Sequence, residues 1–334
     1  MYLGANLRIR KLGLCAIAGI LILVYFYSLR TASINLGEET ISMKALLAGA
    51  IRAAEMGGLE IISVHNDMRL NIESKGRTKE GVNDPVTAAD YKSHCAMYHA
   101  LTAAFPKITV ISEEESKECD KVNISDLKDS MKYLEDYNIE DTLVNVDDVT
   151  VWIDPLDATK EFTENLLQYV TTMVCIAVKK EPIIGVIHKP FESKSTYWAW
   201  VGHGLSSNLK NYISQTEEVK IPVLIVSRSH AGLVQNASKL AFGENVQIIS
   251  AAGAGYKALE IAAGNATAYV HMTAIKKWDI CACAAIISAL GGTMTSLSGP
   301  GRISFGTSDP IVLNSGLLAT MRDHNWYLDK FSNV

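Results

Sequence analysis

The residues best equipped for chemistry in this 334-residue chain are acids. In the segment WIDPLDATKEF, 152–162, a β-rich run meets a proline that cannot continue a hydrogen-bond ladder, so the strand is predicted to end at Ile153 and the chain to turn. Across such a turn Asp154 and Asp157 bring two carboxylates toward one point, with the Leu156 carbonyl and the Thr159 hydroxyl close by. These are hard oxygen donors of the kind magnesium takes. Glu113-Glu114-Glu115 follows the short β-rich run ITVIS, 108–112, at the end where loops line sites in α/β architectures. Asp279 falls in the first turn of an apolar helix beside Trp278, and Asp90 stands three residues after Thr87 at the start of another. Each also has a plainer use. Asp-Pro starts turns, Thr159 can cap a helix beginning at Lys160, and a glutamate run suits a solvated loop. Asp279 favours a helix dipole, and Asp90 completes a capping box with Thr87.

The elements that must position these acids read as two kinds of pattern. MKALLAGAIRAAEMGGLEIISV, from Met43, has apolar residues at helical spacing and is predicted as a helix disturbed near Gly57-Gly58. PVTAADYKSHCAMYHALTAAF is a second helix, closed by Pro106. A polar, acidic insert at 116–148 contains SDLKDSMKYLEDY as an exposed helix. Strand runs then follow at 151–153, 169–178, 182–188 and 195–201, predicted as one antiparallel sheet. From Pro222 strands and helices alternate, with helices near Ala231–Phe242, Tyr256–Ala263 and Asp279–Leu290. The predicted class is therefore α/β: an α+β half, 43–201, carrying most of the acids, and an α/β half, 202–334, carrying Asp279.

In the second half Ser227, Ser229 and His230 follow a predicted strand and can offer hydrogen bonds to a ribose or phosphate, although a histidine on a surface turn is more often inert. Gly253 and Gly255 precede a helix and permit close backbone approach to a ligand, with Lys257 available for a second phosphate. Hydrophobic residues make up 48% and charged residues 20%, enough apolar content for a substantial core. A net charge of −5 excludes a broad nucleic-acid-binding face. Of six cysteines, the five beyond Cys15 show no framework spacing, so no disulfide scaffold is predicted. Cys281 and Cys283 point away from one another on their helix and make a poor shared metal site.

In combination, the acid pair after a strand, the DPLDAT turn and the helix-opening Trp278-Asp279 resemble the inositol monophosphatase-like family of magnesium-dependent, lithium-sensitive phosphatases. The resemblance covers residues 43–334 and implies a layered αβαβα sandwich with the site between its halves. It implies two or three magnesium ions held by Glu113, Asp154, Asp157, Asp279 and the Leu156 carbonyl, with Glu113 preferred over Glu114. Asp90 and Thr159 match the pair that helps order the attacking water, and Lys79 matches a basic residue near the site. On this reading Glu113 and Thr159 order the nucleophile, Asp154 bridges, and Asp157 and Asp279 hold the leaving-group side. No covalent nucleophile is required. Within the family DATKEFTE at 157–164, VSRSHAG at 226–232, AAGAGYKALE at 251–260 and IKKWDICA at 275–282 are similar to members that take the 3′-phosphate from 3′-phosphoadenosine 5′-phosphate in the Golgi. A small nucleotide is thus the expected partner, and a homodimer is compatible with the resemblance. An inositol monophosphate substrate, or a tethered protein that keeps the fold without catalysis, are the alternatives.

The N-terminus sets an expectation about place. Residues 12–29, LGLCAIAGILILVYFYSL, form an 18-residue uncharged run after Arg8, Arg10 and Lys11, read as a transmembrane signal anchor rather than a cleaved signal peptide. The positive-inside rule leaves 1–11 in the cytosol, with a stem at 30–42 and the body in the lumen. Sequons at Asn123, Asn236 and Asn265 are compatible with that placement.

Overall fold

The computed structural model describes residues 19–25, 39–77, 81, 83–115, 119, 127, 130–193, 195–212, 221–228 and 231–332. The chain divides into two units, 1–40 and 41–334. In the first, residues 19–25 are helical with exposed side chains, and the rest of the anticipated 12–29 span lies outside the described residues. Among the described residues no helix is long and apolar enough to cross a membrane.

The second unit is built in five layers. Helix Met43–Asn66 starts at Ser42, whose hydroxyl accepts from the Ala45 N–H at 3.0 Å. It runs unbroken through Gly57-Gly58, contrary to the disturbance anticipated there. Both glycines are sites of close approach. A Cβ at Gly57 would stand 2.6 Å from the Met97 sulfur in the neighbouring helix, Ala88–Ala104, and one at Gly58 would stand 2.5 Å from the His188 ring of the sheet below. Tertiary packing offsets the roughly 1 kcal/mol that glycine costs a helix interior.

Those two helices cover a six-stranded sheet in the order Gly204–Leu205, Ser195–Trp200, Glu181–Lys189, Thr171–Val178, Val149–Asp157, Thr109–Ser112. The anticipated strands are all present and antiparallel, but the sheet is mixed: Thr109–Ser112 adds as a parallel edge against Val149–Asp157. That one parallel pairing matters for the site, because it brings the ends of both strands out on the same side. Alternate residues of Val149–Asp157 and Thr171–Val178 face opposite layers. Val151, Ile153, Val174 and Ile176 pack under the outer helices, whereas Trp152, Met173 and Cys175 face inward. Both faces are buried, which explains the near-continuous apolar runs.

The third layer is helix Lys277–Ala289 with helix Ala254–Ala262, and the fourth is a five-stranded sheet, Gln247–Ala251, Val223–Ser227, Ala268–His271, Leu317–Thr320, Thr293–Ser296. Helices Ala231–Phe242 and His324–Ser332 close its far side through Val234, Tyr327, Leu328 and Phe331. The αβαβα order is as anticipated. Of the anticipated helix SDLKDSMKYLEDY, 125–126 and 128–129 lie outside the described residues; Leu127 is helical and buried, and Ser130–Leu134 forms a 3₁₀ turn whose Leu134 is buried against the first helix layer, so the described part is not a solvent-exposed element.

Disulfides contradict the sequence reading. Cys95 is bonded to Cys119, and Cys175 to Cys281, the latter pair 106 residues apart. Spacing in sequence carries no sign of a pairing between a central strand and the helix packed on it. Cys175–Cys281 ties the first sheet to the inner helix two residues from Asp279, while Cys283 is a buried free thiol.

Candidate metal centre and catalytic site

The ladder does not stop at Ile153. Strand Val149–Asp157 pairs Asp154 with Met173, skips, and pairs Asp157 with Thr171, so Pro155 and Leu156 form an irregularity within the strand. Proline fits there because it has no N–H to contribute. Ser93 of the second helix donates to the Pro155 carbonyl at 2.7 Å, and the Leu156 side chain packs with Ile61, Ala89 and Phe162. Ala158 then turns the chain at φ 71° into helix Thr159–Thr163. The sequence thereby folds one strand so that Asp154 and Asp157 are presented from a rigid edge rather than from a loop.

Parallel pairing sets Ser112 beside Ile153, and the Glu113 N–H donates to the Ile153 carbonyl at 3.2 Å. Glu113 therefore emerges next to Asp154. Asp279, in the first turn of helix Lys277–Ala289, accepts from the Lys276 N–H at 3.1 Å. Oxygen atoms of Glu113, Asp154 and Asp279 all lie within 4.8 Å of one another. Burial, then the neighbouring acids, pushes the carboxyls of Asp154 and Asp279 well above the usual range. A set of buried carboxylates that repel one another, all hard donors, fits a divalent cation such as magnesium. Asp157 stands to one side. Its Oδ2 accepts from the Gly255 N–H at 2.8 Å and the Thr171 hydroxyl at 3.1 Å; burial raises its pKa and Lys257 opposes the rise.

Asp90 and Thr159 meet as anticipated, together with the Leu156 carbonyl. Asp90 Oδ2 accepts from both the N–H and the hydroxyl of Thr87, each at 2.7 Å, completing the capping box. Its other oxygen lies 2.9 Å from the Thr159 hydroxyl, which is also 3.1 Å from the Leu156 carbonyl. Burial pushes the Asp90 carboxyl up to about 7, against the pull of these hydrogen bonds. Thr159 is thus held by Asp90 and does not act as the cap: the N-cap position is Ala158.

Two cations were not read from the sequence. Lys75, on the hairpin Glu73–Arg77 with Asn83–Val86, pairs with Glu113 at 3.1 Å and with Glu114. Burial would lower its pKa, but Glu113 and Glu114 outweigh burial and raise it. The segment looked only polar, and its lysine was passed over for Lys79, which lies outside the described residues. Glu114 is thereby engaged with Lys75, whereas Glu113 sits in the acid cluster. Arg228, directly after Val223–Ser227, pairs with Glu164 at 2.9 Å and Glu161 at 3.4 Å, joining the second sheet to the helix after Asp157.

Of the residues assigned to a nucleotide, Ser227 ends its strand beside Ala251, at the carboxyl ends of parallel strands where ligands bind in α/β sheets. Ser229 and His230 lie outside the described residues. Gly253 has φ +70°, and Gly255 is already engaged with Asp157. Lys257 is only 3% exposed, lies 5.0 Å from the Tyr269 ring centroid and interacts with Asp157 from within the core.

An acid cluster at the end of a buried sheet, faced by a second sheet, could hold a divalent cation, and the family match makes the chain a metal-dependent phosphomonoesterase. The chain belongs to the inositol monophosphatase family, whose sequence profile matches residues 42–331 and whose members are magnesium-dependent in general. It is 46% identical over 290 residues to the Golgi-resident adenosine 3′,5′-bisphosphate 3′-phosphatase of Mus musculus, covering 85% of this chain and 79% of that one. It is 42% identical over 343 residues to inositol monophosphatase 3 of Xenopus laevis, covering 98% and 95%. Among solved structures it superposes on CysQ from Bacteroides thetaiotaomicron, a bacterial member of the family, with a TM-score of 0.59 at 23% identity, covering 84% and 99%. Inositol monophosphatase from Anabaena gives the same TM-score at 17% identity, covering 86% and 95%. These two likenesses concern the fold.

Proposed function

We propose that the enzyme removes the 3′-phosphate of 3′-phosphoadenosine 5′-phosphate, giving AMP and phosphate, in the lumen of the Golgi, where that nucleotide accumulates as the by-product of sulfate transfer to glycosaminoglycans. The observation that carries the reading is the direct link between pole and loop: the Asp157 carboxylate is bound by the N–H of Gly255, in the segment AAGAGYKALE similar to nucleotide-binding parts of such enzymes. The mouse relative's name supports the same substrate.

Magnesium bound by Glu113, Asp154, Asp279, Asp157 and the Leu156 carbonyl would neutralise phosphoryl oxygens and lower the pKa of a bound water. The chain's own residues do the rest. Asp90 fixes the Thr159 hydroxyl, which is then oriented to accept from a water beside it. Lys75 and Lys276, both within 3.3 Å of Glu113, temper the negative charge that would otherwise repel an anionic substrate.

The Xenopus relative's name favours a second substrate, an inositol monophosphate. The two are separated by kcat/KM for 3′-phosphoadenosine 5′-phosphate and for inositol 1-phosphate on one preparation of the full chain. The expected preference for the nucleotide is about 100-fold or more, since a pocket that hydrogen-bonds a substrate rejects analogues lacking its groups. A preference for inositol 1-phosphate overturns the assignment.

Anchoring through residues 12–29 with a lumenal body is part of the proposal. Two disulfides support an oxidising compartment. Asn265 is exposed on a turn and Asn236 on a helix surface, both accessible to modification. At least one of Asn123, Asn236 and Asn265 is expected to carry glycan in cells, seen as a glycosidase-sensitive mass shift. A body without that shift, cleaved by protease added outside sealed vesicles, is a cytosolic one.

A further inference from the structure

One helix reaches both strands of the site through two side chains a turn apart. Asp90 and His94, four positions apart in helix Ala88–Ala104, lie on the same face, and each is 1% exposed. Asp90 meets Thr159, after the strand that carries Asp154 and Asp157. His94 meets the parallel edge strand instead: its Nδ1 lies 2.7 Å from the hydroxyl of Ser112, the last residue of Thr109–Ser112.

A buried histidine with a partner is ordinarily a satisfied core residue and nothing more. What sets His94 apart is where its partner stands. Ser112 is the last residue that pairs with Val149–Asp157, and Glu113 follows it directly. The Ser112 hydroxyl is used twice, since it also accepts from the Glu114 N–H at 3.3 Å. With one proton and two lone pairs it can meet both neighbours at once. Burial, with a smaller push from His99, lowers the His94 pKa to about 4, so the ring is neutral at pH 7 and brings no charge to the acids. The backbone at 112–114 is then held at two points, the Glu113 N–H on the Ile153 carbonyl and the Glu114 N–H on the hydroxyl that His94 engages. Between these held amides the Glu113 side chain enters the cluster with Asp154 and Asp279, while Glu114 turns to Lys75.

We propose that His94 is a positioning residue of the metal site, acting through Ser112 to hold Glu113 in its place beside Asp154 and Asp279. The second helix thereby sets, as one rigid body, both a metal-binding acid and the Asp90–Thr159 pair, and so fixes the spacing between cation and water. Groups that orient a metal ligand typically contribute about 10- to 100-fold in metal affinity. The proposal rests on the metal site argued above and is independent of which phosphate ester is the substrate.

The test is the magnesium affinity of the chelator-treated full chain, read by isothermal titration calorimetry, beside the melting temperature in chelator. His94→Leu and Ser112→Ala are each expected to weaken magnesium binding about tenfold, and the double variant by about the same factor, because both changes break one chain of contacts. His94→Asn separates positioning from packing. Its amide stands near the Nδ1 position and can still engage Ser112, but it gives up the stacking on Tyr98, 5.2 Å between centroids. It should melt lower than wild type and yet bind magnesium within about threefold of it. Variants that melt lower but bind magnesium as wild type does make His94 a core residue only and overturn the proposal, as does a double variant weakened about 100-fold or His94→Asn as weak as His94→Leu. Should His94→Leu fail to fold, wild-type affinity in Ser112→Ala is enough to refute it. A wild type that binds no magnesium removes the metal site itself, whereas a preference for inositol 1-phosphate leaves the role of His94 standing.

Discussion

Asp154→Asn is expected to lower kcat by about 10³-fold, roughly 4 kcal/mol of transition-state stabilisation, while making the chelator-treated protein more heat-stable at neutral pH. The two effects have one cause. Asp154 is 1% exposed, sits among Glu113 and Asp279 within 4.8 Å, and has its carboxyl raised well above the usual range by burial and by those neighbours. Without a cation the folded state retains a proton there that the unfolded chain has lost above about pH 4, and each unit of such a shift corresponds to about 1.4 kcal/mol of destabilisation. Since the folded protein binds more protons than the unfolded, its stability falls as pH rises from the ordinary aspartate pKa toward the raised one. Asparagine keeps the side-chain oxygen that accepts from the Leu156 N–H at 3.2 Å and removes the titration. The melting temperature in chelator at pH 8 should therefore rise by about 3 °C or more, and the gain should vanish near pH 4. Added magnesium should stabilise the wild type and have little effect on the variant. A variant that turns over near normally across a magnesium titration, or that melts lower than wild type in chelator at pH 8, would show that Asp154 is not at the metal pole.

How much of this was legible in the sequence depends on what each feature requires. Asp154, Asp157, Asp90, Thr159 and Asp279 could be named because each sits at a local punctuation point: a proline in a strand, a capping box, a helix start. Their convergence could not be derived locally. It depends on Thr109–Ser112 joining the sheet in parallel, which places Glu113 beside Asp154 across an insert of more than thirty residues, and on helix Lys277–Ala289 packing across the inner face. The helix through Gly57-Gly58 was misread for the same reason, since propensity reports the cost of glycine but not the neighbours that require it. The Cys175–Cys281 bond and the Lys75 contacts are likewise purely tertiary, formed by segments that carry no mutual signal in the sequence. The bulged end of Val149–Asp157 was taken for a turn because proline normally ends a ladder, whereas here Ser93 and the packing of Leu156 hold it within the strand.

Asp90→Asn is expected to cost about 10²- to 10⁴-fold in kcat, the range of a positioned proton acceptor, with a smaller change in KM. In the native site Asp90 Oδ2 takes two donors from Thr87, so the remaining oxygen must receive the Thr159 hydroxyl proton. That leaves Thr159 with lone pairs to accept from a water, and with a carboxylate behind it to draw the proton on. In the variant the amide oxygen must face the Thr87 N–H, since that group can only donate, and the amide NH₂ then faces Thr159. The Thr159 hydroxyl becomes an acceptor from the amide and turns its own proton toward the Leu156 carbonyl, 3.1 Å away. One lone pair can still accept from a water, but no carboxylate stands behind the hydroxyl to take a proton on. The pH profile distinguishes this from simple loss of packing. Burial raises the Asp90 carboxyl to about 7, so below that pH the protonated acid no longer serves as acceptor and wild-type kcat should fall, with bound cations moving the break lower. In Asp90→Asn that acid limb should be absent and the residual rate flat across it. If the variant keeps the wild-type limb, the titrating group lies elsewhere and the Asp90–Thr159 pair is only a structural brace between the second helix and the strand that carries Asp154.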